Sequence, residues 1–240
     1  MIMIRMATLI FALLAAATLA SAQKGVLKGT WAVEGETPKN VSYTGKLSIQ
    51  PINAPLYKLT WGVRYGEETK NEVFPGTALF NQRTGKMYAA YGIGTLRYGL
   101  ISYPLTDEGG LEGSATWTSH NGGGAELLGG KLDGDIEGTY EVVGRRSDGD
   151  VDQGVSETYS GTLKIMKLRD YYRLEWYLGD GMPYTGFAYK TDTALIGVWG
   201  IGGSYGLEIY TVDEDLQSAT STWTSPSYDM KKGTETISRR

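Results

Sequence analysis

The feature that most constrains this chain is that it repeats itself. Tyr43-Thr-Gly45-Lys-Leu47-Ser-Ile49 recurs as Tyr159-Ser-Gly161-Thr-Leu163-Lys-Ile165, and Tyr57-Lys-Leu59-Thr-Trp61 recurs as Tyr172-Arg-Leu174-Glu-Trp176. Gly92-Ile-Gly94 with Tyr98-Gly-Leu100 returns as Gly200-Ile-Gly202 with Tyr205-Gly-Leu207. Thr116-Trp117-Thr-Ser119 returns as Thr222-Trp223-Thr-Ser225, and the opening Gly29-Thr-Trp31 as Gly138-Thr-Tyr140. The blocks keep their order while their offsets range from 106 to 116 residues, so length changes fall between blocks. Loops of varying length between fixed strands produce that pattern. The repeats occupy residues 23–129 and 130–240.

Each repeat reads as strands. Tyr43, Gly45, Leu47 and Ile49 alternate with Thr44, Lys46 and Ser48, and Tyr172, Leu174 and Trp176 alternate with Arg173 and Glu175. Period two with aromatic enrichment marks half-buried antiparallel strands. Turn signals such as Thr84-Gly85-Lys86, Asn121-Gly-Gly-Gly124 and Gly179-Asp180-Gly181 separate the runs. Eight strands are predicted per repeat, joined by short connections, which favours an all-β pair of tandem eight-stranded up-and-down barrels. Closure removes the sheet edges that such a chain would otherwise expose. Two sandwiches, or one large sheet shared by both repeats, are the alternatives. The 34 glycines fit the turns and strand bends of this architecture, with Gly45 and Gly161 at matched bends.

Composition narrows the chemistry. Cysteine is absent, His120 is the single histidine, and the formal net charge is −4 with both signs mixed. These exclude disulfides, a cysteine nucleophile and a Cys/His zinc cage, and they give no nucleic-acid footprint. Residues 1–22 combine Arg5, an apolar run from Ala7 to Ala17, and Ala20-Ser21-Ala22. That is the layout of a secretory signal peptide, with cleavage expected near Ala22/Gln23 and a periplasmic or secreted product. No later segment reads as a membrane span.

Gly29-Thr30-Trp31 resembles the Gly-x-Trp opening of lipocalins and the Gly-Thr-Trp opening of avidins, both eight-stranded calycin barrels. The Thr-Trp-Thr-Ser strands resemble the tryptophan-bearing strands of an avidin-like barrel. The whole unit is similar to a widespread group of uncharacterised exported bacterial proteins. The resemblance implies a barrel fold more than an activity. In lipocalins it also implies a basic residue from a late strand set against the opening Trp; the sequence pattern alone identifies none here. The second repeat has Tyr140 in the Trp place, and no run matches the biotin-site residues of avidins.

Two residue sets are candidate sites. Trp31, Tyr43, Trp61, Tyr98 and Trp117 in the first repeat, with Tyr140, Tyr159, Trp176, Tyr205 and Trp223 in the second, are predicted on inner faces. They either fill the barrels or line a cavity for a small apolar or aromatic ligand. Asp148, Asp150 and Asp152 alternate in a glycine-containing loop and present hard oxygen ligands suited to Ca²⁺, although the spacing departs from an EF-hand; a solvated hairpin loop is the alternative. His120 reads as part of an exposed loop, and Asp213, Glu214 and Asp215 as a solvated turn. No nucleophile elbow or complete dinucleotide-binding glycine motif occurs, so no catalytic residue is assigned. The expected function is an exported non-catalytic binding protein. The alternatives are a structural or adhesive envelope protein contacting a protein or glycan, and an enzyme or enzyme inhibitor working at a barrel mouth.

Overall fold

The computed structural model describes residues 26–53, 55–120, 122–130, 135–146 and 158–239. The candidate signal peptide and Asp148, Asp150 and Asp152 lie outside the described residues. In the first repeat the strands are β1 (Gly29–Glu36), β2 (Ser42–Asn53), β3 (Leu56–Tyr65), β4 (Glu72–Asn81), β5 (Lys86–Gly92), β6 (Tyr98–Pro104), β7 (Ser114–Thr118) and β8 (Gly123–Gly129). The second repeat supplies β9 (Gly138–Arg146), β10 (Thr158–Leu168), β11 (Tyr171–Leu178), β12 (Pro183–Lys190), β13 (Ala194–Ile201), β14 (Tyr205–Val212), β15 (Ser218–Thr224) and β16 (Lys232–Arg239). Sixteen strands form two closed eight-stranded antiparallel barrels. No helix among the described residues is long and apolar enough to cross a membrane.

The barrels do not coincide with the repeats at 23–129 and 130–240. The first barrel takes β1–β5 and closes with β14–β16, in the order β1-β16-β15-β14-β5-β4-β3-β2. The second is built from the eight consecutive strands β6–β13, with β13 pairing β6 to close it. Each repeat therefore gives five strands to one barrel and three to the other. The crossing lies where the two glycine–tyrosine blocks recur. Tyr98 pairs Gly200 in one barrel and Tyr205 pairs Gly92 in the other. The two crossing segments run side by side, Ile93 N donating to Ser204 O at 2.8 Å.

This exchange buries the outer faces of the central strands. Ala90, Tyr98, Leu100, Phe187, Val198, Tyr205 and Leu207 form a core of their own between the barrels. Phe187 stacks on Tyr205 with centroids 6.2 Å apart and planes 21° from parallel. Tyr98 and Tyr205 are thus not inner-face residues, contrary to the alternation-based assignment. Strands β6 and β14 are buried on both faces, so alternation no longer reports which face points inward. Gly99 and Gly206 occupy the inward places next to them, where a Cβ would strike Thr118 and Trp199, or the Tyr91 ring.

Much of the glycine content has a packing role. A Cβ on Gly76 or Gly186 would overlap or press on the ring of Trp61 or Trp176, and one on Gly124 or Gly233 that of Trp117 or Trp223. Gly35 and Gly144 lie likewise under Tyr43 and Tyr159. Large rings fit inside so narrow a barrel because the neighbouring strand presents bare backbone at that level. At the far end of the first barrel, Trp31 is fully buried beside Leu27. Its ring is covered by the Arg239 guanidinium, 5.1 Å from the ring centroid, on the strand paired with it. The sequence pattern alone does not single out this contact between a late strand and the opening Trp.

Because the second barrel is one uninterrupted run of eight strands, a fragment spanning residues 98–201 is expected to fold with a cooperative thermal transition and to self-associate through the apolar face of Tyr98, Leu100, Phe187 and Val198 that it leaves uncovered. Circular dichroism and size-exclusion chromatography check this; a fragment without a cooperative transition would contradict the closure of β13 on β6.

Candidate functional site

Each barrel is organised around a buried glutamate. In the second barrel Glu126, 3% exposed, accepts hydrogen bonds from Tyr103 Oη at 2.8 Å, Tyr159 Oη at 2.9 Å and Trp176 Nε1 at 3.3 Å. In the first barrel Glu235, 4% exposed, accepts from Tyr210 Oη at 2.5 Å, Tyr43 Oη at 3.1 Å and Trp61 Nε1 at 3.2 Å. The matching positions are the same residue types in both repeats, so one polar network was copied with the barrel. A buried carboxylate needs such donors, since leaving it without them costs several kcal/mol, on the order of its desolvation. Trp223 Nε1 extends the first network by donating to Tyr43 Oη at 2.9 Å.

The two interiors then diverge. On β14 the first barrel has a second inward carboxylate, Glu208, 3% exposed, which accepts from Ser221 Oγ on β15 at 2.5 Å. The aligned residues of the second barrel are Ile101 and Ala115, both buried in its apolar core. The Glu208 and Glu235 carboxyls are close enough to interact directly through a hydrogen bond. Burial, followed by repulsion from Glu235, raises Glu208 well above the usual carboxylate range. Burial likewise pushes Glu235 up to about 7, against the counter-effect of its hydrogen-bond donors. Two carboxyls so placed cannot both ionise cheaply, and a shared proton is the natural outcome. Glu126, alone with its donors, is also raised by burial.

Above the carboxyl pair the first barrel opens into a cavity of about 480 Å³. Tyr43, Trp61, Phe74, Tyr91 and Trp223 surround it, and Tyr65 and Tyr228 stand nearer the mouth with Thr37, Lys39, Val41, Glu68 and Glu72. The rings meet mostly edge to face: Tyr91 lies 6.0 Å from Trp61 and 6.5 Å from Trp223, and Tyr228 lies 5.3 Å from Trp223. In each such contact the positive edge of one ring meets the negative face of the other. Thr37 fastens the β1–β2 loop by accepting from the Val41 amide at 3.1 Å, and Lys39 Nζ sits 5.8 Å from the Tyr228 ring centroid.

The ten aromatic candidates therefore separate. Tyr43, Trp61 and Trp223 line the cavity. Trp117, Tyr140, Tyr159 and Trp176 belong to the interior of the second barrel, Tyr140 donating to Ile136 O at 2.8 Å. Trp31 fills the opposite end of the first barrel, and Tyr98 and Tyr205 sit between the barrels. His120 is half-buried rather than exposed, its Nδ1 3.4 Å from Tyr98 Oη, and burial lowers its pKa, as does Lys58. Asp213, Glu214 and Asp215 lie exposed in the β14–β15 turn. Sequence reasoning missed the three buried glutamates. Gly124-Ala-Glu126 and Gly233-Thr-Glu235 are a matched block that identifies two of them. No family model, curated protein or solved structure matches this chain.

The carboxyls predict an unusual pH dependence. Folding raises Glu235 from 4.5 to about 7, so the folded state binds more protons than the unfolded state between those values. Stability is then greatest below about pH 4.5 and falls as pH rises through 7, by on the order of 3 kcal/mol for a shift of that size. Glu208→Gln removes the repulsion and is expected to flatten this decline, with Glu126 accounting for part of what remains. Melting temperature followed from pH 4.5 to 8 measures both; a wild-type chain that gains stability over this range would contradict the assignment.

Proposed function

We propose that the protein is an exported, non-catalytic binding protein that holds a small ligand with apolar or aromatic character in the open cavity of its first barrel. The observation that carries this reading is the cavity itself. Its volume lies within the range of small-molecule sites, roughly 300–1,000 Å³, and its aromatic walls with a few converging polar groups are the usual lining of such sites. A structural or adhesive role would need no space between Trp61, Tyr91 and Trp223. Trp31 under Arg239, a basic residue of a late strand set against the opening Trp, supports the calycin-like reading. The layout of residues 1–22 supports export before folding.

The cavity walls report on their own occupancy, because Trp61 and Trp223 face it. A panel of aromatic metabolites and lipids is screened by tryptophan fluorescence and thermal melting. A binder present at a hundred times its Kd is expected to stabilise the protein by about 2.7 kcal/mol. Tyr228→Ala, which removes a ring at the mouth and none of the buried network, is expected to weaken that binding about tenfold while shifting the unliganded melt little. A panel in which no compound moves either signal would favour the structural alternative.

A further inference from the structure

The duplication separates what the barrel needs from what one copy has added. Both barrels keep a glutamate held by two tyrosines and a tryptophan, so that network is part of the fold. The second barrel closes with Ile101 and Ala115 where the first has Glu208 and Ser221. The added carboxyl therefore is not required for closure. It is also costly, because it stands buried against another carboxyl with no basic side chain paired to it among the described residues. Glu208 and Glu235 both border the cavity, beneath the rings of Trp61, Tyr91 and Trp223.

We propose, building on the ligand-binding reading above, that the first barrel recognises an aromatic or apolar amine, its ammonium seated on the Glu208–Glu235 pair and its apolar body among the rings. A cation is the ligand that turns the paired carboxyls from a cost into an attraction, and ring faces attract it further. The lining of the cavity has the same sign. Glu68 and Glu72 lie toward the mouth, and Lys39 is the cationic side chain opposed to four carboxyl groups in the lining. Lys39 is already placed against Tyr228 at the rim, away from the pair.

Proton release accompanies binding. The ammonium favours the ionised form of both carboxyls, so the proton held by the empty pair leaves for solvent as the amine enters. The titratable groups around the pair are Tyr43 on β2, Tyr91 on β5 and Tyr210 on β14, with Tyr65, Glu68, Glu72, Lys39 and Tyr228 nearer the mouth. Tyr43, Tyr65, Tyr91 and Tyr210 are all shifted upward by burial and stay neutral near pH 7. Affinity for an amine is thus expected to rise from pH 5 to pH 8.

The test compares three indole compounds of the same skeleton by calorimetry on the whole protein: tryptamine, the neutral tryptophol and anionic indole-3-acetate. Tryptamine is expected to bind at least tenfold more tightly than tryptophol at pH 7.5, with indole-3-acetate weakest and the preference for tryptamine shrinking toward pH 5. Glu208→Gln and Glu208→Ile, the latter copying the second barrel, are each expected to abolish the preference, with circular dichroism confirming the fold. Tryptophol binding as tightly as tryptamine, or a preference surviving both variants, would overturn the charge assignment and leave the cavity as a binding site. No heat from any of the three at millimolar concentration would overturn the amine proposal; the wider panel of metabolites then decides the binding reading by itself.

Discussion

Two strand pairings made across the repeat boundary, β5 with β14 and β13 with β6, hold this molecule together. Without them neither barrel is closed, and an open eight-stranded sheet would expose two edges as well as the apolar faces now buried between the barrels. The exchange also explains why the barrels form one body. Ordinary tandem domains meet over a modest surface and move relative to each other. Here the chain passes between the barrels twice, side by side, and Phe187, Tyr98 and Tyr205 fill the space around the crossing.

Inside the barrels the organising interaction is a carboxylate surrounded by phenols and indoles. An all-apolar interior would tolerate many ring arrangements. A glutamate that must receive three donors fixes the rotation of each ring and the stagger of the strands that carry them. Tyr210, Tyr43 and Trp61 come from three different strands, and Glu235 from a fourth. The glycines make room for these rings, so the composition of the strands follows from the network. In buried carboxyls the first barrel departs from its copy by Glu208, held by Ser221 on the floor of the cavity.

Much of the fold was legible in the sequence, for a definite reason. Strands with one solvated face, such as β2 and β11, alternate cleanly, so the inward direction of Tyr43 and Trp176 is readable from the pattern. The central strands are opaque because both their faces are apolar, so alternation assigns Tyr98 and Tyr205 to the wrong side. Exchange between repeats leaves no trace in a duplicated sequence. Tyr98 finds the same residue type whether it pairs Gly92 of its own repeat or Gly200 of the other, so the two topologies satisfy one pattern. The glutamates were hidden by a different effect. A charged residue in a strand normally reads as outward-facing, and only the recurrence of Gly-x-Glu, two residues beyond a tryptophan-stacked glycine register, marks Glu126 and Glu235 as inward.

The pairing of β1 with β16 has a mechanical consequence. Trp31 lies opposite Arg239, so the two ends of the first barrel leave it at the same point. Tension applied there acts along the hydrogen bonds of one rung at a time and unzips the ladder, instead of shearing all its rungs together. The second barrel, inserted between β5 and β14, carries no force until the strands outside it have peeled away. Arg239 over Trp31 is therefore the first latch on a seam that runs the length of the first barrel, and the cavity is lost long before the inserted barrel feels the pull.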